Sequence, residues 1–252
     1  MIANYHTHTK RCNHAVGDER EYIEKAIESG LEILGFSDHA PYLFKEKHYY
    51  SSFRMKPNLA DDYCQTVLDL KKEYSKDIKI LLGFELEYYK DTHQKEMEFL
   101  KSFNPDYIIL GQHYVCGEYN GYYAWSDSGN EMLLKTYVDE CIEGLKTGDF
   151  LYLAHPDLVG VNYPQAVLER EYSRLLTYMT ENDIPAEINL LGLMGNRSYP
   201  KRAFFEIAKK HQTKVIIGAD AHTPLAFNKD LYNRAYNLVK GLDLTFVDKF
   251  DL

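Results

Sequence analysis

The stretch Val215-Ile216-Ile217-Gly218-Ala219-Asp220-Ala221-His222 carries the pattern that decides the fold. Three consecutive β-branched residues read as a short strand buried on both faces. Asp220 and His222 follow at i and i+2, and an extended backbone aims both the same way. The same arrangement recurs along the chain. His6 and His8 follow the apolar run Ile2–Tyr5, with His14 close behind; His39 follows Ile33–Phe36; Glu85 follows Ile78–Leu82; His113 follows Tyr107–Leu110; His155 follows Phe150–Leu153; a further run spans Ile184–Ile188. Helical periods separate most of these runs, at Asp18–Ser29, Ala60–Tyr74, Glu131–Lys146, Gln165–Asn182, Arg202–His211 and Lys229–Lys240, before a last strand-like run at Leu244–Val247. Strand alternating with helix predicts βαβ units on a parallel sheet. Seven or eight such units in 252 residues predict one α/β barrel domain over residues 1–252.

In a parallel barrel the carboxyl ends of all strands meet at one rim, where barrel active sites are built. The histidines, Glu85 and Asp220 are therefore expected to converge. Imidazole nitrogen and carboxylate oxygen are the donors that zinc, manganese and iron accept. A lone histidine near a strand end is more often a hydrogen-bonded structural residue; so many at one rim would be costly to bury unless an ion satisfied them. His93, in a loop-to-helix stretch after Glu85, is a candidate to touch a ligand or the substrate. His48, in the unpatterned segment Pro41–Asn58, reads as a surface residue, and His211 as a solvent-facing helix end favoured by the helix dipole. Cys12 reads as a buried inert thiol.

Composition narrows the function. Apolar residues make up 45 %, ordinary for a globular chain, and no run approaches the roughly 18 that span a bilayer. The opening Met1–His6 lacks the basic-then-apolar pattern of a secretory signal, so the expected compartment is the cytoplasm. Cys12, Cys64, Cys116 and Cys141 show no CxxC spacing and read as free thiols. The net charge of −9 disfavours nucleic acid as a partner but leaves room for a small anion at a local positive site.

Taken in order, the motifs resemble those of the PHP (polymerase and histidinol phosphatase) superfamily: His6-Thr7-His8, Cys12-Asn13-His14, Ser37-Asp38-His39, Gly83-Phe84-Glu85, Gly111-Gln112-His113, Ala154-His155-Pro156 and Gly218-Ala219-Asp220-Ala221-His222. Arg54-Met55 with Tyr63, Glu187-Ile188-Asn189 and Arg197–Pro200 are similar to the stand-alone histidinol-phosphatase branch. The resemblance implies a distorted (β/α)7 TIM-like barrel with three divalent metal ions (zinc, manganese or iron) at the carboxyl ends of the strands. It implies His6, His8, Glu85 and Asp220 around the first ion, Glu85 bridging to a second held by His113 and His155, and His14, His39 and His222 around the third. Glu87 shares a strand face with Glu85, but the Gly-x-Glu pattern selects Glu85. A basic residue is expected soon after His155-Pro156-Asp157, and the run to Tyr163 has none.

The expected reaction is hydrolysis of a small phosphate monoester, with L-histidinol phosphate the leading candidate. Three divalent ions, less Glu85 and Asp220, leave about +4 of formal charge to attract a phosphate. A water bridging two ions would have its pKa lowered toward about 7 and could attack phosphorus in line. Asp220, His222 or His93 could protonate the leaving alkoxide. Arg197 could grip the phosphate with its planar fork, and Arg54 is a weaker candidate of the same kind. Three rivals stand beside this reading. A phosphodiesterase or nuclease of the same superfamily would want a basic stripe that the chain lacks. An amidohydrolase-type barrel with two metals would leave His14 and His39 without a role. A non-catalytic metal-binding module would not need open coordination positions.

Overall fold

Four parallel strands form the main sheet of the computed structural model, in the order Ala3–Asn4 (β1), Ile33–His39 (β2), Lys79–Leu86 (β3) and Tyr107–Leu110 (β4). An antiparallel hairpin follows, Tyr114–Val115 (β5) with Tyr122–Tyr123 (β6), and a parallel pair joins Ala186–Asn189 (β7) to Val215–Gly218 (β8). The helices are Glu19–Glu28 (α1), Ala60–Glu73 (α2), His93–Lys101 (α3), Glu131–Lys146 (α4), Gln165–Glu181 (α5), Leu190–Met194 (α6), Arg202–His211 (α7) and Lys229–Gly241 (α8). The structure describes residues 1–44, 49–126, 129–159 and 163–252; His48 lies outside them. Caps foreseeable from sequence start several helices: Asp18 and Glu21 form a capping box on α1, and Asn228 caps α8.

The result is an α/β fold with a curled parallel sheet. It differs from the expected set of seven strands. Among the described residues, Phe150–Leu153 contributes only single parallel bridges, from Leu153 to Leu110 and to Ala186, and Leu244–Val247 only one, from Phe246 to Val215. The reason at Leu153 is local. His155 turns into the left-handed region at φ +28°, Pro156 follows it, and Pro185 stands opposite. Neither proline offers the N–H that a continuing ladder needs. A further parallel bridge joins Thr7 to Ala221, on the far side of β1 from β2.

Period-two alternation along these strands builds two apolar layers. Leu34, Phe36, Ile80, Leu82, Ile108, Leu110 and Ile217 pack in the layer shared with the helices. Ile33, Leu81, Tyr107, Ile109 and Ile216 form a separate inner cluster with Ala3, Tyr5 and Tyr152. The inner column of β3 runs Leu81, Gly83, Glu85, and that of β2 runs Ile33, Gly35, Ser37, His39. Each column is apolar at the amino end and polar at the carboxyl end. Aromatic rings floor this interior: the Tyr107 hydroxyl donates to the Tyr5 carbonyl at 2.7 Å, and Phe250 stacks on Tyr152 at 6.1 Å.

Helix α3 buries a carboxyl. Glu96 is 1 % exposed and accepts one hydrogen bond, from the Leu43 amide at 3.1 Å. Burial pushes its pKa up from 4.5 to about 8, against the opposing pull of that amide and of Arg54. The folded chain thus keeps a proton that the unfolded chain releases above 4.5. Stability from this group is complete below that pH and is lost as pH rises toward about 8. Glu96→Gln is expected to flatten the fall in Tm between pH 5 and pH 8. Melts of both proteins across that window check it, and parallel slopes would contradict it. Among the described residues no helix is long and apolar enough to cross a membrane.

Candidate metal centre

Glu85 stands at the middle of the polar end. The β2–β3 register sets it directly beside His39. Its two oxygens lie 2.9 Å from His155 Nε2 and 2.9 Å from His39 Nδ1, and 3.4, 3.6 and 3.9 Å from Nε2 of His6, His8 and His113. Asp220 Oδ1 lies 3.1 Å from His8 Nε2 and 3.5 Å from His6 Nε2. His14, His39 and His222 bring their donor atoms within 4.8 Å of one another, as do His6, His8 and Glu85, and His39, Glu85 and His113. Residues distant in sequence thus share one space.

A second layer of acceptors aims the rings. His6 Nδ1 donates to Glu187 Oε1 at 2.8 Å; His8 Nδ1 lies 3.4 Å from Asp38, and His113 Nδ1 3.4 Å from Glu87. His14 and His222 use backbone carbonyls instead, those of Cys12 at 2.8 Å and Asp220 at 3.0 Å. The hydrogen bonds of His6, His14 and His222 favour the proton on Nδ1 and leave Nε2 as the donor atom, the usual way a ligating imidazole is oriented; the 3.4 Å approaches at His8 and His113 are ion-pair distances without a hydrogen bond. Glu187 also accepts from the His155 amide at 3.0 Å and from Asn189, whose amide reaches Asp220 as well. Sequence reasoning placed Asp38 and Glu187 inside motifs but gave neither a role. The signal was there: each is a charged residue inside a fully buried strand.

Two missing side chains belong to this centre. A Cβ on Gly111 would overlap the Glu85 carboxylate, and one on Gly218 would overlap that of Glu187. The backbone is strained where it delivers two of the donors, with φ of +28° at His155 and +47° at Asp220.

Electrostatics favour cations here. Burial opposes a proton on His6, but Glu187, Asp220 and Glu85 outweigh it and raise its pKa well above the ordinary value. Burial likewise opposes a proton on His8, but Asp220, Asp38 and Glu85 raise it to about 9. Burial wins at His113, lowered to about 3, and at His14, lowered to about 4. Against the pull of burial, the surrounding imidazoles hold the carboxyls of Glu85 and Asp220 well below the usual range. Buried His6 Nε2, His8 Nε2, His39 Nδ1, His222 Nε2 and Glu85 Oε2 have no hydrogen-bond partner. Orphaned donor atoms of the imidazole and carboxylate kinds, this close together, fit divalent ions.

Three other expectations come out differently. His93 is not brought to this cluster: its Nε2 pairs with Asp149 at 2.9 Å, and its ring packs on Tyr88 and Phe150, at the opposite end of the Leu153 segment from His155. Arg54 is buried and cannot reach out to a phosphate. Its guanidinium pairs with Glu87 and with Glu118 at 2.6 Å, under the rings of Phe53 and Tyr42. It therefore fixes the carboxylate behind His113. The basic residue beside the His155 loop is Lys201, from far along the chain, and its ammonium is spent on the carbonyls of Asp157 at 2.8 Å and Val159 at 2.5 Å. Cys12 is fully buried, as expected, and its Sγ lies within 4.8 Å of His8 and His222 donor atoms.

Removing Arg54 leaves two carboxylates buried and uncompensated. Arg54→Met is expected to lower unfolding free energy by about 3–5 kcal/mol. Adding Glu87→Gln and Glu118→Gln should recover part of that. Denaturant melts of the series measure both numbers, and a single variant within about 1 kcal/mol of the parent would show that the network is not what holds this region.

The centre opens into a cleft of about 350 Å³, lined by His14, His39, His113, Asp220 and His222 together with Phe53, Tyr114, Tyr123, Trp125, Arg197 and Tyr199. That is the small end of the range for ligand pockets. Arg197 is held in place: it donates to the Tyr199 hydroxyl at 2.8 Å and its guanidinium sits 5.1 Å over Trp125.

The sequence profile of the PHP domain matches residues 4–190, the greater part of the chain. The chain belongs to the PHP domain family. This PHP domain is 26 % identical over 234 residues to a protein of Deinococcus radiodurans named "Probable histidinol-phosphatase", covering 88 % of this chain and 87 % of the relative. It is 25 % identical to the histidinol-phosphatase of Bacillus subtilis over 86 % of this chain and 92 % of that one. Its fold is similar to the crystal structure of histidinol phosphate phosphatase from Lactococcus lactis, complexed with zinc, L-histidinol and phosphate. That match has a TM-score of 0.78 at 19 % identity, over 99 % of this chain and 97 % of the other chain.

Proposed function

We propose that this PHP domain is a metal-dependent phosphatase that hydrolyses L-histidinol phosphate. One observation carries the reading: a cluster of orphaned imidazole and carboxylate donors opens into a small cleft that a fixed arginine also lines. The curated relatives named as histidinol-phosphatases support it. So does the Lactococcus enzyme of like fold, whose complex holds zinc, L-histidinol and phosphate.

We assign His6, His8, Glu85 and Asp220 to one ion, Glu85, His113 and His155 to a second, and His14, His39 and His222 to a third, with zinc the preferred metal. Divalent ions bound there supply Lewis acidity, acidifying a water and offsetting charge on the phosphoryl group. The chain's own residues do the rest. Arg197 binds and orients the phosphate through its planar fork. Asp220 and His222 line the cleft as ion ligands, the first held ionised and the second with its Nδ1 on a backbone carbonyl, so the proton for the leaving oxygen comes from elsewhere. Glu187, Asp38 and Glu87 keep the imidazoles aimed. The bridges at Leu153 and between Thr7 and Ala221 are read as the closure of a distorted seven-membered barrel, a single domain over residues 1–252. Four free cysteines suit a reducing compartment such as the cytoplasm.

Zinc-loaded protein assayed with histidinol phosphate, other monoesters and an oligonucleotide tests this directly. A kcat/KM for histidinol phosphate within the usual range of about 10⁴–10⁸ M⁻¹s⁻¹ is expected. A value below about 10² M⁻¹s⁻¹ with good turnover of another monoester would remove the substrate and keep the phosphatase. Preference for the oligonucleotide would favour the diesterase.

A further inference from the structure

The loop that carries Arg197 runs from the end of α6 to the start of α7, and it is fixed at both ends. At the first end the Arg197 amide donates to the Gly192 carbonyl at 2.9 Å, and the Gly192 amide donates to Asn189 Oδ1 at 3.0 Å. The Asn189 amide group in turn reaches Asp220 at 3.1 Å and Glu187 at 2.8 Å. This end of the loop is therefore anchored on the donor cluster itself.

At the other end two side chains cross. Asp157 Oδ2 accepts the backbone amide of Lys201, while the Lys201 ammonium donates to the carbonyls of Asp157 at 2.8 Å and Val159 at 2.5 Å. Each side chain grips the other's backbone. The segment gripped is the one that leaves His155: the Leu158 amide donates to the His155 carbonyl at 2.9 Å, and the Tyr137 hydroxyl to the Pro156 carbonyl at 3.2 Å. Neither Asp157 nor Lys201 lines the cleft. Tyr199, which does, packs its ring against that of His155 at 6.2 Å and accepts from Arg197 through its hydroxyl. Asp157 is fully buried, and its Oδ1 has no hydrogen-bond partner. A carboxylate buried on those terms is costly, and an apolar side chain would serve packing alone at less cost.

We infer that Asp157 and Lys201 are positioning residues, a reciprocal clamp that holds Arg197 at a fixed reach from the ion assigned to His155; the inference rests on the phosphatase reading above. A guanidinium and an ion act on one phosphate only if their separation is set beforehand, and a shift of about 1 Å in a positioning group can cost about 10²-fold. The clamp sets that separation from behind, by joining the two backbones that deliver Arg197 and His155. It acts through Arg197. His155 has further holds of its own, since Glu187 accepts its amide at 3.0 Å and Glu85 lies 2.9 Å from its Nε2.

A double-mutant cycle on the zinc-loaded protein tests this. Asp157→Ala is expected to lower kcat/KM for histidinol phosphate by about 30-fold, chiefly through KM, and to weaken inhibition by inorganic phosphate by a similar factor, with zinc content unchanged. Asp157→Asn, which keeps an acceptor oxygen for the Lys201 amide, should recover most of both. In an Arg197→Ala background the further change Asp157→Ala should cost less than about threefold, because the group it positions is already gone. If Asp157→Ala fails to fold, Lys201→Met, which keeps the stem and drops the ammonium, takes its place in the same cycle. Additive losses, a fall in zinc content, asparagine no better than alanine, or phosphate inhibition unchanged each overturn the inference and leave the phosphatase standing. A parent protein that hydrolyses no phosphate monoester removes the phosphatase reading itself, and this inference with it.

Discussion

Glu85→Ala lowers kcat/KM for the phosphate ester by roughly three orders of magnitude, about 4 kcal/mol of transition-state stabilisation. The magnitude follows from position. Glu85 faces five imidazoles, those of His6, His8, His39, His113 and His155, at 2.9 to 3.9 Å. Among the described residues no other carboxylate touches that many, so its loss should remove charge and a shared donor from two of the proposed ion sites together. Metal titration should show that Glu85→Ala binds fewer zinc ions than the parent. Glu85→Gln keeps the shape and separates packing from charge: it should preserve Tm better than alanine while recovering little activity. If kcat/KM stayed within about tenfold in the alanine variant, Glu85 would not be the shared ligand, and Glu87 would not replace it, because Arg54 already engages that carboxylate.

Arg197→Ala is expected to lower kcat/KM by about 2–4 kcal/mol, chiefly through KM, with zinc content unchanged. It is the one arginine on the cleft wall among the described residues, and the Tyr199 and Trp125 contacts preorganise it. Lysine should restore only part of the loss, because a point charge cannot reproduce the fork. A fall of less than about threefold would take Arg197 out of phosphate binding. The basic residue absent after His155 adds interest to this variant, since Lys201, the cation that stands near that loop, has its ammonium against backbone carbonyls.

Much of this was legible in the chain itself, and the boundary is instructive. Strand runs were readable as short apolar stretches buried on both faces, and helices because each buries one periodic face; α1, α2, α4, α5, α7 and α8 begin and end within two residues of where the periods place them. The donor residues were readable because they stand just past apolar runs, and parallel topology brings such positions together. The strand at Leu153 was over-read, since apolar composition does not reveal that the prolines and the turn at His155 cut its pairing to single bridges; the run at Phe246 also makes a single bridge, and nothing in the structure explains why it goes no further. His93 was misplaced because its partner Asp149 lies 56 residues away, and no local pattern announces it. Arg54 read as a free guanidinium because its acceptors, Glu87 and Glu118, come from other elements. The aromatic lining of the cleft was only half visible: Phe53 stood in a segment rich in rings, but Tyr114, Tyr123, Trp125 and Tyr199 join it only through the fold.

Gly111 and Gly218 carry a consequence for anyone scoring variants of this protein at scale. At both positions the group that matters is empty space beside a carboxylate, so adding one methyl should act like deleting a ligand. A scan that ranks positions by the chemistry they lose on mutation to alanine would register both as gains of a side chain and would rank them harmless. They should instead fall among the most intolerant sites in the chain, and the tolerance profile of a homologous set would show two invariant blanks where a search for reactive groups finds nothing to mark.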